Sequence, residues 1–235
     1  MPRLLIFDMD DTLYTSNALR DMFHRAVYMC VADKTNLDLS EAKIHFNKTR
    51  EQTEKTTGKL PGKTATLYLY YGISIKEFEK YKMKVLDGRD FPNLNTPEIN
   101  WQLSALFKKV RLKFYTAVFT NNHKSLTNII LNKLGLENIF DRIYTLDDMG
   151  EELLHRVKHP DMPLEELDEQ ILSYIKPSKI RLEQIMKEFN LPAKDCVSIG
   201  DRYHIDLVYA EELGMDTEKV ENVTDVLKFL RTLDL

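Results

Sequence analysis

The chain opens on Arg3-Leu-Leu-Ile-Phe-Asp8-Met-Asp10-Asp-Thr12-Leu13, and its other segments make sense against that stretch. Four apolar residues in a row, with no alternation, predict a strand buried on both faces, as in a parallel sheet. The run stops at Asp8. In an extended segment residues i and i+2 face the same way, roughly 6.6 Å apart at ~3.3 Å per residue. Asp8 and Asp10 are therefore expected to face one pocket while Met9 faces away. Two carboxylates at that spacing can take different tasks if their surroundings separate their proton affinities. One stays ionised as a nucleophile and the other carries a proton for a leaving group. Asp11 is expected to turn away and bond local backbone, as Asp does in turns.

Two later stretches have the same texture. Phe114-Tyr-Thr-Ala-Val-Phe119 stops at Thr120-Asn121-Asn122, and Cys196-Val-Ser-Ile199 stops at Gly200-Asp201. A helical pattern follows Asn122: Leu126, Ile129, Ile130 and Leu134 share a face, and Gly135 sits where a C-terminal cap belongs. After Lys176-Pro177, Ser178 is placed to cap a helix with the face Leu182, Ile185, Met186 and Phe189. Strands alternating with helices predict an α/β fold with a Rossmann-like parallel sheet flanked by helices. Ligands bind at the carboxyl edge of such a sheet, so Asp8, Asp10, Thr120, Asn121, Asp201 and Lys176 are expected to converge there. Asp201 would add oxygen ligands for a hard cation.

Residues 13–90 read differently. They are rich in Lys, Glu, Thr and Tyr and lack short apolar runs. Leu19, Met22, Phe23, Ala26, Val27 and Cys30 recur at helical spacing, as do Phe78, Tyr81, Lys82 and Val85. The reading is a small α-helical cap, residues 15–97, inserted into a catalytic core of residues 1–14 and 98–235. Hinges are expected near Asn17 and Pro92, where Gly, Pro and Asn cluster nearby. The basic, Thr-rich stretch 48–66 reads as a turn between cap helices. Its cations Arg50, Lys55, Lys59 and Lys63 read first as a solvated face, and second as readers of a substrate's remaining polar group. Tyr68, Tyr70 and Tyr71 read as cap core rather than a stacking surface. Residues 147–175 form an excursion with one or two short helices. Within it His155 and His159 have the i, i+4 spacing of a metal pair, but no third ligand is evident and Pro160 follows. His123, Arg202, Tyr203 and His204 adjoin the clusters and are expected at their rim.

Composition narrows the function classes. The chain has 235 residues, with 33 Lys and Arg against 37 Asp and Glu, a net charge of −4. That balance is a poor match to a nucleic-acid backbone. No apolar run approaches the ~20 residues needed to span a bilayer. Leu4 to Phe7 is too short for a signal-peptide core. Cys30 and Cys196 belong to no Cys-x-x-Cys pattern and read as reduced thiols. The expected setting is cytoplasmic, with no nucleic-acid or membrane partner. Nothing in the sequence sets an oligomeric state.

Taken together, Asp8-Met-Asp10-Asp-Thr12, Phe119-Thr120-Asn121, Lys176-Pro177 and Gly200-Asp201-Arg-Tyr-His-Ile-Asp206 match four motifs in the order of one family. The chain resembles a haloacid dehalogenase-superfamily phosphatase with a helical cap after the first core strand. Within that group it is most similar to pyrimidine 5′-nucleotidase-like and related small-metabolite phosphatases. The resemblance implies that Asp8 attacks phosphorus and becomes an aspartyl-phosphate. It implies that Asp10 protonates the departing alkoxide and then activates water. Thr120 and the backbone N–H of Asn121 would hold phosphate oxygens, and Lys176 would neutralise nucleophile and phosphate. Asp8, Asp201 and the main-chain carbonyl of Asp10 would ligate Mg²⁺, with Asp206 a further acid at the metal.

Elementary electrostatics agrees with that division of labour. A carboxylate and a phosphate repel by about 4 kcal/mol per unit-charge pair at ~4 Å and an effective dielectric of ~20. A divalent ion and an ammonium offset that repulsion. The expected activity is Mg²⁺-dependent hydrolysis of a small soluble phosphate monoester, such as a nucleoside monophosphate or a sugar phosphate. A phosphomutase of the β-phosphoglucomutase kind would use the same core. A non-catalytic phosphate-binding protein is the third reading. A dehalogenase would not need the acid at Asp10, a phosphonatase would need a cap lysine that forms a Schiff base, and a receiver domain would be about half this length.

Overall fold

Leu4–Phe7 forms β1, every residue of which is buried, and it lies at the centre of a five-stranded sheet of order β3-β2-β1-β4-β5. The computed structural model describes residues 3–57, 62–87, 91–148 and 175–234. The other strands are β2 (Tyr115–Phe119), β3 (Arg142–Tyr144), β4 (Cys196–Gly200) and β5 (Asp216–Lys219). All pairings are parallel, and β1 is hydrogen-bonded on both sides, with Phe7 level with Val118 of β2 and Ile199 of β4. The three apolar runs of the sequence are thus the three middle strands. The segments that leave them, at Asp8, Thr120 and Asp201, share one edge because the strands run the same way.

The chain divides into two compact units, Met1–Ser16 with Asn93–Leu235, and Asn17–Pro92. In the first, alternate residues of the central strands feed two cores. Leu4 and Ile6 pack with Ala117, Phe119, Leu182 and Ile185. Phe7 meets Phe107 edge-on at 5.0 Å between ring centroids, and Phe107 meets Phe140 at 5.2 Å. Burying a phenylalanine this completely is worth roughly 3 kcal/mol, and edge-to-face contacts add to that. The helices are fixed by their ends. In α5 (Pro97–Val110) the hydroxyl of Thr96 accepts from the N–H of Ile99, and Pro97 opens the first turn. α6 (Lys124–Leu134) stops at Gly135, whose φ of 70° suits a residue without Cβ. In α7 (Lys179–Phe189) the Ser178 hydroxyl accepts from the N–H of Arg181. Short α8 (Val208–Glu212) and terminal α9 (Val223–Thr232) complete the described helices of this unit.

The second unit consists of α1 (Asn17–Thr35), α2 (Leu39–Thr57), α3 (Lys63–Tyr71) and α4 (Ile75–Leu86). α1 packs on α2 and α4 around Val27, Cys30, Phe46, Leu67 and Phe78. Ser74 and Glu77 give α4 its capping signature, with the Ser74 hydroxyl accepting from the Glu77 N–H. Lys82 is buried with its ammonium 4.8 Å from the Phe78 ring centre and 5.1 Å from that of Phe23.

Two expectations are corrected in this unit. The stretch 48–66 is not one long turn, since α2 continues to Thr57 and α3 begins at Lys63. Its threonines do not break the helix, because Thr49, Thr53 and Thr56 donate their hydroxyls to the carbonyls of His45, Thr49 and Gln52 one turn back. Among the three tyrosines only Tyr71 is core. Tyr68 is partly buried, and Tyr70 is 49% exposed, its hydroxyl hydrogen-bonded to that of Thr53.

β3 and β5 were not signalled by the sequence. Each is a margin of the sheet among the described residues, and Asp216-Thr-Glu-Lys219 has no apolar run to mark it. Most of the 147–175 excursion, including His155 and His159, lies outside the described residues, as does Lys59.

Candidate active site

Asp8 keeps its backbone in the sheet, its N–H donating to the carbonyl of Ile199 at 2.8 Å, while its side chain leaves the edge. That carboxylate is 4% exposed. One oxygen accepts from the ammonium of Lys176 at 2.7 Å and the other from the hydroxyl of Thr12 at 3.2 Å. The same ammonium donates to Asp206 at 2.9 Å and lies 4.8 Å from the centre of the Phe119 ring. Three segments separated by up to 198 positions therefore meet at one buried nitrogen.

Asp201 completes the cluster. Asp8, Asp201 and Asp206 each offer a carboxylate oxygen within 4.8 Å of the others. Oδ1 of Asp201 is buried and accepts no hydrogen bond among the described residues. The Arg202 Nε lies 3.4 Å from it but is not aligned to donate. Three carboxylates thus face the Lys176 ammonium, with the Arg202 guanidinium beside Asp201, and negative charge is in surplus. Burial, then the charge of Asp206, push the Asp8 carboxyl up to about 7, against the pull of Lys176. Burial likewise raises Asp201 to about 6. Burial alone would lower Lys176, but Asp206 and Asp8 outweigh it and hold the ammonium charged.

Thr120 is 1% exposed, and its hydroxyl accepts from the N–H of Asn122 at 3.2 Å. The Asn121 side chain clamps the peptide of Lys176, accepting from its N–H at 2.8 Å and donating to its carbonyl at 3.3 Å. Asp10 is not one of the three clustered acids, though its charge also raises Asp8. Its oxygens accept from Nδ2 of Asn122, at 2.7 Å, and from the Tyr14 hydroxyl. Asp11 adopts φ 62°, a left-handed conformation that Asp tolerates. His123 is buried with Nδ1 3.4 Å from Asp147, whereas Arg202, Tyr203 and His204 are exposed.

Against known families, the chain matches haloacid dehalogenase-like hydrolases over residues 2–214. It belongs to that family. No curated protein matches it. Among solved structures, it is similar to a HAD phosphatase from Thermococcus onnurineus, at 16% identity and a TM-score of 0.56, with 98% of each chain covered. It is also similar to the putative HAD-hydrolase YfnB from Bacillus subtilis, a structure bound to magnesium, at 15% identity and a TM-score of 0.55 over 98% of this chain and 99% of that one. A 2-haloacid dehalogenase from Pseudomonas syringae pv. Tomato DC3000 matches at 15% identity and 0.53, again over 98% and 99%. At these identities the likeness is one of fold.

In this haloacid dehalogenase-like hydrolase the sequence reading missed three contributions. Tyr14 and the side chain of Asn122 hold Asp10, and the side chain of Asn121 holds the backbone of Lys176. Neighbours in sequence give no sign of contacts that span 55 and 112 positions. A fourth device is Gly200. A Cβ there would stand 2.4 Å from Cβ of Asp206, so the absence of a side chain lets Asp206 turn its carboxylate to Lys176 and to the N–H of Arg202, 3.0 Å away. Gly200→Ala is expected to cost about 1–3 kcal/mol through overpacking. In a chain of this length that lowers the melting temperature by roughly 3–10 °C, which thermal denaturation in EDTA would measure.

In the helical unit, Lys63 contacts Nε2 of His24. Burial, then the charge of Lys63, lower the proton affinity of that imidazole. Arg50 lies with its guanidinium 5.9 Å from the Phe46 ring centre, and Lys55 is exposed. These cations are thus not uniformly a solvated face.

Proposed function

We propose that this hydrolase is a Mg²⁺-dependent phosphomonoesterase that works through an aspartyl-phosphate on Asp8. Its substrate is a small soluble phosphorylated metabolite, a nucleoside monophosphate or a sugar phosphate, met in the cytoplasm. The observation that carries the reading is the buried Asp8 carboxylate, bonded to Lys176 and sharing one cluster with Asp201 and Asp206. The unit Asn17–Pro92 serves as the cap, with hinges near Asn17 and Pro92, and the rest is the catalytic core.

The donor set suits the metal. Asp8, Asp201 and Asp206 offer hard oxygens, the kind Mg²⁺ takes, and Oδ1 of Asp201, which accepts no hydrogen bond among the described residues, is a buried acceptor that a cation would satisfy. A divalent cation would also offset the surplus of three carboxylates over the Lys176 and Arg202 charges. When bound by these residues and the carbonyl of Asp10, the ion supplies charge neutralisation.

The chain's own groups do the rest. Lys176 holds Asp8 in place and offsets the repulsion between carboxylate and phosphate. An Asp8 oxygen bonds to phosphorus as the ester P–O bond breaks, and the departing alkoxide takes a proton from Asp10. Asp10, now a carboxylate, takes a proton from water as that water's oxygen bonds to phosphorus and the Asp8–phosphorus bond breaks. The proton returns to Asp10 and inorganic phosphate leaves. Thr120 and the Asn121 N–H hold the phosphate oxygens.

The test is a panel of phosphorylated metabolites with detection of free phosphate, in Mg²⁺ and in EDTA. Release from at least one ester in Mg²⁺ and none in EDTA is expected. Halide release from a 2-chloroalkanoate, with no phosphate release from any ester, would replace this reading with dehalogenation.

A stability measurement probes the metal without turnover. The folded-state proton affinities of Asp8 and Asp201 lie above their ordinary value of 3.8. Between that value and about 7 the metal-free fold therefore binds more protons than the unfolded chain, and its stability falls as pH rises through this window. Mg²⁺ must displace those protons to bind. The rise in melting temperature on adding Mg²⁺ is expected to be larger at about pH 8 than at about pH 5.5. An equal rise at both would count against the cluster as the site.

A further inference from the structure

We propose that Tyr14 and Asn122 form a two-point holder that fixes the Asp10 carboxyl, and that this holder sets how well the enzyme cleaves esters with poor leaving groups. The proposal rests on the phosphatase reading above. Among the described residues the Asp10 carboxyl bonds neither to Lys176 nor to the Asp8–Asp201–Asp206 group; it is met instead by Asn122 and Tyr14. Asn122, in the turn after β2, donates Nδ2–H to Oδ2 at 2.7 Å. Tyr14, beyond the turn after β1, donates its hydroxyl to Oδ1. Both holders are themselves buried. Tyr14 is 3% exposed and Asn122 4%. Asn122 is anchored through its backbone, its N–H donating to the Thr120 hydroxyl at 3.2 Å and its carbonyl accepting from the N–H of Leu146 at 3.1 Å. Residues 10 and 14 are also joined by an isolated backbone bridge.

The chemistry of the pair suits a group that must exist with and without a proton. A carboxyl has two oxygens and about four lone-pair positions. The holder uses one on each oxygen and leaves the others for the travelling proton. The carboxyl can thus keep one orientation while it gives a proton to the alkoxide and takes one from water. The Tyr14 phenol carries one hydrogen, which it gives to Oδ1 of Asp10. A carboxyl tethered at one point could instead swing on its two side-chain torsions. Proton donation needs heavy-atom distances of about 2.6–3.2 Å, so such swinging would be felt in the rate.

Tyr14 and Asn122 are positioning residues: they touch Asp10 and act through it. The readout that separates this from a merely structural role is leaving-group dependence. A nitrophenyl phosphate departs as a stable anion and needs no proton; an alkyl phosphate departs as a strongly basic alkoxide and does. The parameter kcat/KM covers the steps up to transfer to Asp8, so it isolates the donation step. Tyr14→Phe and Asn122→Ala, each checked by thermal melting, would be measured with Mg²⁺ on p-nitrophenyl phosphate and on a simple alkyl phosphate that the parent hydrolyses. The expected loss in kcat/KM is about 30-fold or more on the alkyl ester and less than about threefold on the nitrophenyl ester, part of the ~10²–10⁴ that a general acid contributes. Equal losses on both esters, or none on the alkyl ester, in a parent that hydrolyses both would overturn the holder alone. A parent inactive on both esters would overturn the phosphatase reading and the holder with it. If Asn122→Ala fails to fold, Tyr14→Phe, which removes one oxygen and keeps the ring packed, decides the question.

Discussion

Asp8→Asn is expected to abolish phosphate release, by on the order of 10⁴-fold or more, because an amide cannot form the acyl-phosphate that the mechanism requires. The same substitution is expected to leave the metal-free protein at least as stable as the parent at neutral pH. The reason is the sign of the Asp8 shift. Burial and Asp206 make the ionised carboxylate costly in the fold, so its affinity for protons rises to about 7 rather than falling. A group shifted that way destabilises the fold once pH exceeds its unfolded value, and replacing it with a neutral isostere removes the cost. Lys176 retains Asp206 as a partner at 2.9 Å, so its ammonium is not stranded. Thermal melts in EDTA and phosphate release in Mg²⁺ together check both halves. An inactive, strongly destabilised variant would show that Asp8 acts as a structural anion, and an active one would remove it as nucleophile.

Lys176→Met has the opposite energetic character. It takes the single ammonium from a site where Asp8 and Asp206 are 4% and 6% exposed, leaving two buried acids to repel one another. Breaking a buried ion pair in this way costs about 3–5 kcal/mol, or roughly 6–20 °C in melting temperature for a chain of this size. Activity is expected to fall by on the order of 10³-fold, as the nucleophile loses its orientation and the phosphate its counter-charge. The loss of stability in EDTA is expected to shrink at acid pH, where the carboxyls take up protons. Lys176→Arg is not a rescue, since a planar fork does not fit a site shaped around a point charge on a flexible stem. Because both changes act on one network, Asp8→Asn with Lys176→Met should be less destabilised than Lys176→Met alone. A simple sum of the two single effects would argue against the shared network.

The sheet's interior was legible in the sequence because β1, β2 and β4 have neighbours on both sides and both faces. They need predominantly apolar runs, and such runs are visible. Among the described residues β3 and β5 have a neighbour on one side only. Arg142-Ile-Tyr144 and Asp216-Thr-Glu-Lys219 satisfy that with mixed residues, so nothing in them stands out. The end of α2 was misread for a related reason. Gly58, Pro61 and Gly62 make the whole Thr-rich stretch read as a turn, whereas a threonine that bonds the carbonyl a turn behind it can stay helical. At the site, the positions of Asp8, Thr120, Lys176 and Asp201 followed from strand ends and helix caps, which leave local marks. The contacts of Tyr14 and Asn122 with Asp10 leave none. An asparagine after a strand is the commonest of turn residues, and only the packing of β1 beside β2 brings it to the carboxyl of Asp10.

The polar character of β3 and β5 bears on behaviour in crowded solution. Any open sheet presents unsatisfied N–H and C=O groups along its outer strands, and these can template the addition of a foreign chain. Among the described residues the outer strands are three and four residues long, and each carries ionised side chains, Arg142 on one and Asp216, Glu218 and Lys219 on the other. Lateral growth would have to start on a ribbon too short to give much cooperativity and too charged to be dehydrated cheaply. The composition that hid these strands from recognition thus guards the enzyme against self-association.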